Sequence, residues 1–218
     1  MTKEALIILG SPHGLAGASA NLGNRIAGRL KSAGFNVETV AVCKNPDPET
    51  LVAALDRADI VVVSFPVNWD TLPAGLTEAL LHMAGAKDRL AKKTRYLCAI
   101  SNCGFPESGN CLAALRSVEL FADRMGMERL GSMAIGQGGV LGEGKLEDGF
   151  FKKRLAHLDR AADCISRGEK IPAVVIEALG KPVVPVFLYN MVGNMNFNRM
   201  ARRNGARRKM WARPYKGS

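Results

Sequence analysis

The sequence predicts an α/β fold, a doubly wound parallel sheet covered by helices. Three observations carry that prediction. Five strand-like runs alternate with helical stripes, the first run is apolar throughout, and three unusual loops follow the first, third and fourth runs. Such alternation builds βαβ units, and right-handed crossovers then place helices on both faces of the sheet.

The first run, ALIIL at residues 5–9, has no polar interruption, as expected of a strand covered on both sides, and is read as central. After the loop GSPHGLAGASAN, Leu22, Ile26 and Leu30 recur at a spacing of four. Asn24, Arg25, Arg29 and Lys31 fill the other faces, and Gly34 ends the helix. Further strands are expected over residues 37–42, 60–64, 95–100 and 129–135. Between and after them lie three more apolar stripes. The first is Leu72, Leu76, Leu80 and Met83; the second is Leu112, Leu115, Val118, Ala122 and Met125. The third, Phe151, Leu155, Leu158, Ala162 and Ile165, closes at Arg167 and Gly168.

A chain of 218 residues can bury one α/β core and still carry an extension. The composition shift places the division at 1–168 for the domain and 169–218 for an apolar, then strongly basic, extension. Formal net charge is +10, unevenly spread: residues 199–218 hold eight Lys or Arg and no acid, leaving 22 basic against 20 acidic groups elsewhere. The five cysteines are odd in number with no CxxC pair, and the three histidines are scattered, so neither a disulfide framework nor a metal site is expected. The opening MTKEALIILG shows no secretory pattern, so a cytoplasmic protein is expected.

The three loops carry the chemistry. Gly10 to Asn21 joins a strand to a helix start, where unpaired backbone N–H groups and the helix dipole favour an anion. It lacks the lysine of a nucleotide P-loop, and Gly10, Gly14 and Gly17 do not fit GxGxxG. Neutral donors remain, Ser11, His13, Ser19 and Asn21, suited to a phosphate monoester; an ordinary capped connection is the alternative. The second loop, SFPVNWDTLPAG, offers Pro66, Val67, Asn68 and the flat face of Trp69 to a planar ring, or else is a surface turn with Trp69 packed on the body. The third, SNCGFPESGN, holds Asn102, Cys103 and Gly104, small enough for close backbone approach. No general base lies near Cys103 in sequence, so a covalent role is not expected of it. In a doubly wound sheet, ligands bind outside the carboxyl ends of the strands, where these loops converge.

Together, GSPHGLAGASAN, FPVNWDTLPAGLTEAL and SNCGFPESGN resemble the phosphate, ring and Gly-rich loops of the flavodoxin-like NAD(P)H-dependent FMN reductase family, over roughly residues 5–168. The resemblance implies a five-stranded parallel sheet in the order 2-1-3-4-5 and FMN as a non-covalent cofactor. It implies NADPH or NADH as electron donor, a flavin, quinone or similar small-molecule acceptor, and a homodimer. Carried over by position, Ser11, His13, Ser19 and Asn21 hold the FMN phosphate. Pro66, Val67, Asn68 and Trp69 border the isoalloxazine, with Asn102, Cys103 and Gly104 on its other side. His13 stands where the family commonly has Arg, and Asn68 with Trp69 where it has a Tyr-containing turn. No side chain is expected to act as acid or base, because the cofactor carries the chemistry. The alternative to an enzyme is a flavin-binding redox sensor or electron carrier.

The extension is too interrupted by Glu177, Lys181, Pro182 and Pro185 for a membrane span. Three uses stay open. It is an arm that packs on the core or on a second subunit and buries Val183, Val184, Val186, Phe187, Leu188 and Tyr189, a segment at the membrane surface with Met191, Met195, Phe197 and Trp211 facing lipid, or, last, a nucleic-acid arm stacking through Trp211 or Tyr215.

Overall fold

The computed structural model describes residues 3–141, 146 and 151–212. Five strands, β1 (Lys3–Leu9), β2 (Phe35–Ala41), β3 (Ile60–Pro66), β4 (Tyr96–Asn102) and β5 (Glu128–Ile135), pair in parallel in the order β2-β1-β3-β4-β5. This is the predicted flavodoxin-like sheet. Arg95 immediately precedes β4; its guanidinium donates to the carbonyls of Leu55, Ala91 and Asp56.

The helices are α1 (Ala18–Ser32), α2 (Pro48–Arg57), α3 (Ala74–Gly85), α4 (Leu112–Met125), the single turn α5 (Gly138–Leu141), α6 (Lys152–Ser166), α7 (Ala173–Gly180) and α8 (Val186–Arg203). Two apolar layers sandwich the sheet. Ala5, Ile7 and Leu9 of β1 join one layer with α1, α6 and α7; Leu6 and Ile8 join the other with α2, α3 and α4. Side chains that alternate between two buried layers explain why residues 5–9 of β1 are apolar without a break.

Several local expectations shift. Helix α1 begins at Ala18, before Asn21, so Ser19 and Asn21 are helical. Leu72 is buried but lies ahead of α3, and Leu112, the first residue of α4, is exposed. Helix α2, which none of the predicted stripes marks, starts at Pro48 under an Asp47 cap that accepts the Thr50 N–H.

Contacts divide the chain into Met1–Val183 and Val184–Ser218, beyond the division at 168 that composition suggests. The difference is α7: Ile171, Val175 and Leu179 enter the first layer, and the Ile171 N–H donates to the Leu130 carbonyl at 2.8 Å. In the second unit, the apolar run resolves into α8, which has no buried residue, and a short turn at Arg207–Lys209. Phe187 is 75% exposed and Val186 is also exposed, whereas Val184 is buried and Val183 is partly buried. Tyr215 lies outside the described residues.

Candidate functional site

The first loop is anchored at its start, where the Gly10 N–H donates to the Ser64 carbonyl of β3 at 2.8 Å. Ser11 is buried and its hydroxyl accepts the His13 N–H at 3.1 Å; the His13 side chain is exposed. Gly17, at φ 90°, turns the chain into α1 with no side-chain cap and no acid in the first turn. The first intrahelical bond runs from the Asn21 N–H to the Gly17 carbonyl, so the N–H groups of Ala18, Ser19 and Ala20 have no intrahelical acceptor. They form the positive end of a helix of 15 residues. Two features fix its position. The Ser64 hydroxyl donates to the Ser19 carbonyl at 2.7 Å, and Gly23 lets α1 approach β1 where a Cβ would stand 2.7 Å from Leu9 Cδ2. Asn21 points elsewhere: its Nδ2 donates to the Leu141 carbonyl of α5 at 3.0 Å.

In the second loop, Pro66 ends β3 and the Val67 N–H donates to the Asn102 carbonyl at 2.8 Å. Asn68 and Thr71 exchange two backbone hydrogen bonds around Trp69 (φ 53°) and Asp70 (φ 60°). This is a two-residue turn with both central residues left-handed, a conformation usually filled by Asn-Gly and unfavourable for a bulky side chain. Trp69 is 97% exposed, so its ring stands in solvent rather than packing on the body.

The third loop begins at Asn102, which is buried with Oδ1 lacking a hydrogen-bond partner. Its closure by the turn after β5 was not legible in the sequence. The Gly138 N–H donates to the Cys103 carbonyl and the Gln137 N–H to the Phe105 carbonyl, both at 2.7 Å. A Cβ on Gly138 would lie 2.5 Å from Asn102 Nδ2, so the turn sits directly on that amide. Gly104 and Phe105 are exposed.

Cys103 and Cys111 are both buried; the Cys103 thiol donates to the carbonyls of Phe105 and Glu107 at 3.7 and 3.5 Å, and the Cys111 thiol to the Ile135 carbonyl at 3.9 Å. The neighbouring Cys111 thiol lowers the Cys103 pKa to about 7 against the opposing effect of burial; Cys111 is pushed up by Cys103 and by burial. Cys98, with burial alone acting on it, rises to about 12.

Strands β1, β3 and β4 are neighbours, so the loops carrying Ser11 and Ser19, Pro66 to Trp69, and Asn102 to Gly104 emerge side by side at one edge of the sheet. The exception within this set is the Asn21 amide, tied to α5. A separate groove of about 500 Å³ opens between α2 and α3, lined by Glu49, Val52, Leu81, His82 and Arg89, and shares no residue with these loops. Among the described residues, no group of His, Cys, Asp or Glu is arranged to hold a metal ion.

This edge and sheet order define a flavodoxin-like fold. A solved FMN-dependent NADH-azoreductase from Bacillus anthracis, in complex with FMN, is similar over 75% of this chain and 100% of its own, with a TM-score of 0.58 and 11% identity. An NADH:FMN oxidoreductase in its apo form is similar over 84% of this chain and 97% of its own (TM-score 0.58, 16% identity). A flavodoxin of Streptococcus pneumoniae TIGR4 is similar over 75% and 98%, respectively (TM-score 0.55, 14% identity). No protein-family model matches the chain, and no curated protein matches it significantly.

Proposed function

We propose that this protein is an FMN-dependent oxidoreductase that draws electrons from NADH or NADPH and delivers them to a small-molecule acceptor such as a flavin or quinone. The observation that carries the reading is the uncapped, acid-free start of α1 beside two further loops at the carboxyl edge of adjacent strands. Two structural neighbours described as FMN-dependent or NADH:FMN enzymes support it.

The residues present fit FMN. Ser11, Ser19 and the N–H groups of Ala18 to Ala20 supply neutral donors for a phosphate monoester, and His13 is exposed at the loop's outer side. The unpartnered Asn102 Oδ1 is a buried acceptor of the kind a ring N–H satisfies, and leaving it empty is costly. Pro66, Val67, Asn68 and Trp69 would border the ring on one side, and Cys103 and Gly104 on the other. When bound, FMN supplies the hydride and electron chemistry. The chain's part is to bind, orient and exclude water, and no side chain is assigned as a catalytic acid or base.

An absorbance spectrum after FMN addition and removal of excess tests the binding. Oxidised-flavin bands are expected, and are lost in a Ser11→Ala/Ser19→Ala double variant. A protein that stays colourless ends the proposal. Steady NADH or NADPH oxidation with an added quinone then separates an enzyme from a flavin-binding carrier or sensor, which would bind FMN yet turn over slowly.

A further inference from the structure

The unit Val184–Ser218 contains eight Lys or Arg and no Asp or Glu. It also holds nine of the sixteen exposed large hydrophobic side chains among the described residues. Within α8 the two properties are segregated. Phe187, Leu188, Met191, Val192 and Met195 recur at the spacing that gathers side chains on one side of a helix, and no basic residue appears before Arg199. From there, Arg202, Arg203, Arg207, Arg208 and Lys209 follow, with Trp211 89% exposed beyond them.

We propose that this unit docks on an anionic phospholipid surface. Phe187, Met191, Met195 and Trp211 enter the interfacial region, while the arginines meet headgroup phosphates. An in-plane helix needs an exposed apolar side and cations that reach the headgroups, and both are here. Insertion across the bilayer is not implied: among the described residues no helix is long and apolar enough to cross a membrane.

Other occupants account for less. A second copy would bring eight cations against eight with no acid in either unit to pair them. Nucleic acid would match the charge and Trp211 but would leave the apolar side of α8 without a partner. The inference goes beyond the flavin reading and stands whether or not that reading holds.

The test uses the full chain with sedimenting vesicles of phosphatidylcholine alone or with about a third phosphatidylserine, at about 0.1 M salt. Binding to the anionic vesicles is expected to be at least about tenfold tighter than to the neutral ones. Arg202→Glu/Arg203→Glu/Arg207→Glu/Arg208→Glu should abolish that preference. Phe187→Ser/Met191→Ser/Met195→Ser should weaken binding several-fold; because all the replaced side chains are exposed, circular dichroism should be unchanged. Equal binding to both vesicles, or none, overturns the proposal, as does full binding by the serine variant. A concentration-dependent dimer that the serine variant abolishes, without vesicle binding, assigns the surface to a second copy instead. Tighter binding to a short single-stranded oligonucleotide than to anionic vesicles assigns it to nucleic acid.

Discussion

Replacing Cys111 with alanine should make Cys103 a far poorer nucleophile at neutral pH without touching Cys103 itself. The Cys111 thiol is the largest influence lowering the Cys103 pKa, from 9.0 to about 7. At pH 7 a thiol of pKa 7 is half ionised and one of pKa 9 is about one per cent ionised, a difference of about 50-fold in thiolate. Without the Cys111 thiol, burial and the nearby Glu107 charge oppose ionisation and outweigh the remaining backbone hydrogen bond of Phe105, so the midpoint should move upward, towards the ordinary thiol value or beyond it. The assay is the pH dependence of iodoacetamide modification at Cys103, followed by peptide mass spectrometry so that the exposed Cys43 is resolved separately. Comparing the midpoint as well as the rate removes the effect of limited access. Cys111→Ser, which keeps a hydroxyl donor, should retain most of the depression. A midpoint near 7 in Cys111→Ala, or near 9 in the unaltered protein, would refute the reasoning.

Three further outcomes are expected. Gly136→Ala would place a Cβ 2.4 Å from the Pro106 carbonyl oxygen, and urea unfolding should show a loss of about 1–3 kcal/mol. Trp69→Asn/Asp70→Gly gives the turn the residues its two positive φ values favour; stability should rise by about 1 kcal/mol or more, while FMN binding weakens. Asp159→Asn breaks a two-pronged pair with Arg25 (2.8 and 2.7 Å) between α1 and α6, both side chains being mostly but not fully buried, and should cost about 1 kcal/mol at pH 7. Because the Arg25 guanidinium holds the Asp159 carboxyl below its ordinary value, that contribution is complete above the unfolded pKa near 3.8 and is lost as pH falls through the lower folded value. The gap between the two proteins in urea midpoint should therefore be constant from about pH 5 upward and close in stronger acid.

The sheet was legible because β1, β3 and β4, mostly buried on both faces, show as apolar runs, while the edge strands β2 and β5 carry polar residues and stand out through their alternation with helical stripes. Helix α2 was harder: its ten residues leave only a short stripe, although Asp47 and Pro48 mark its start. The candidate site was legible as three loops of unusual composition; Ser11 lies in the first of them, while Ser19, read as part of that loop, stands in the first turn of α1. What escaped depends on contacts between distant segments. The Asn21 amide is drawn to a carbonyl 120 residues away, Gly138 seats itself on Asn102, and the loop between β4 and α4 folds back to bring Cys111 to Cys103. Nor does composition reveal that Trp69 occupies a left-handed turn, since nothing local favours it there.

The bond from Asn21 to Leu141 also sets a schedule for the nascent chain. Strand β1 and the start of α1 leave the ribosome first, yet their closing partner is 120 residues behind, roughly 6–24 s later at ordinary rates of synthesis. Until β3 is made, β1 has a neighbour on one side only, and the first loop faces water with its N–H groups uncommitted. Any phosphate-bearing ligand that needs all three loops must therefore be loaded after translation has passed α5, so production of a chain truncated before that point should yield protein that the ligand cannot rescue.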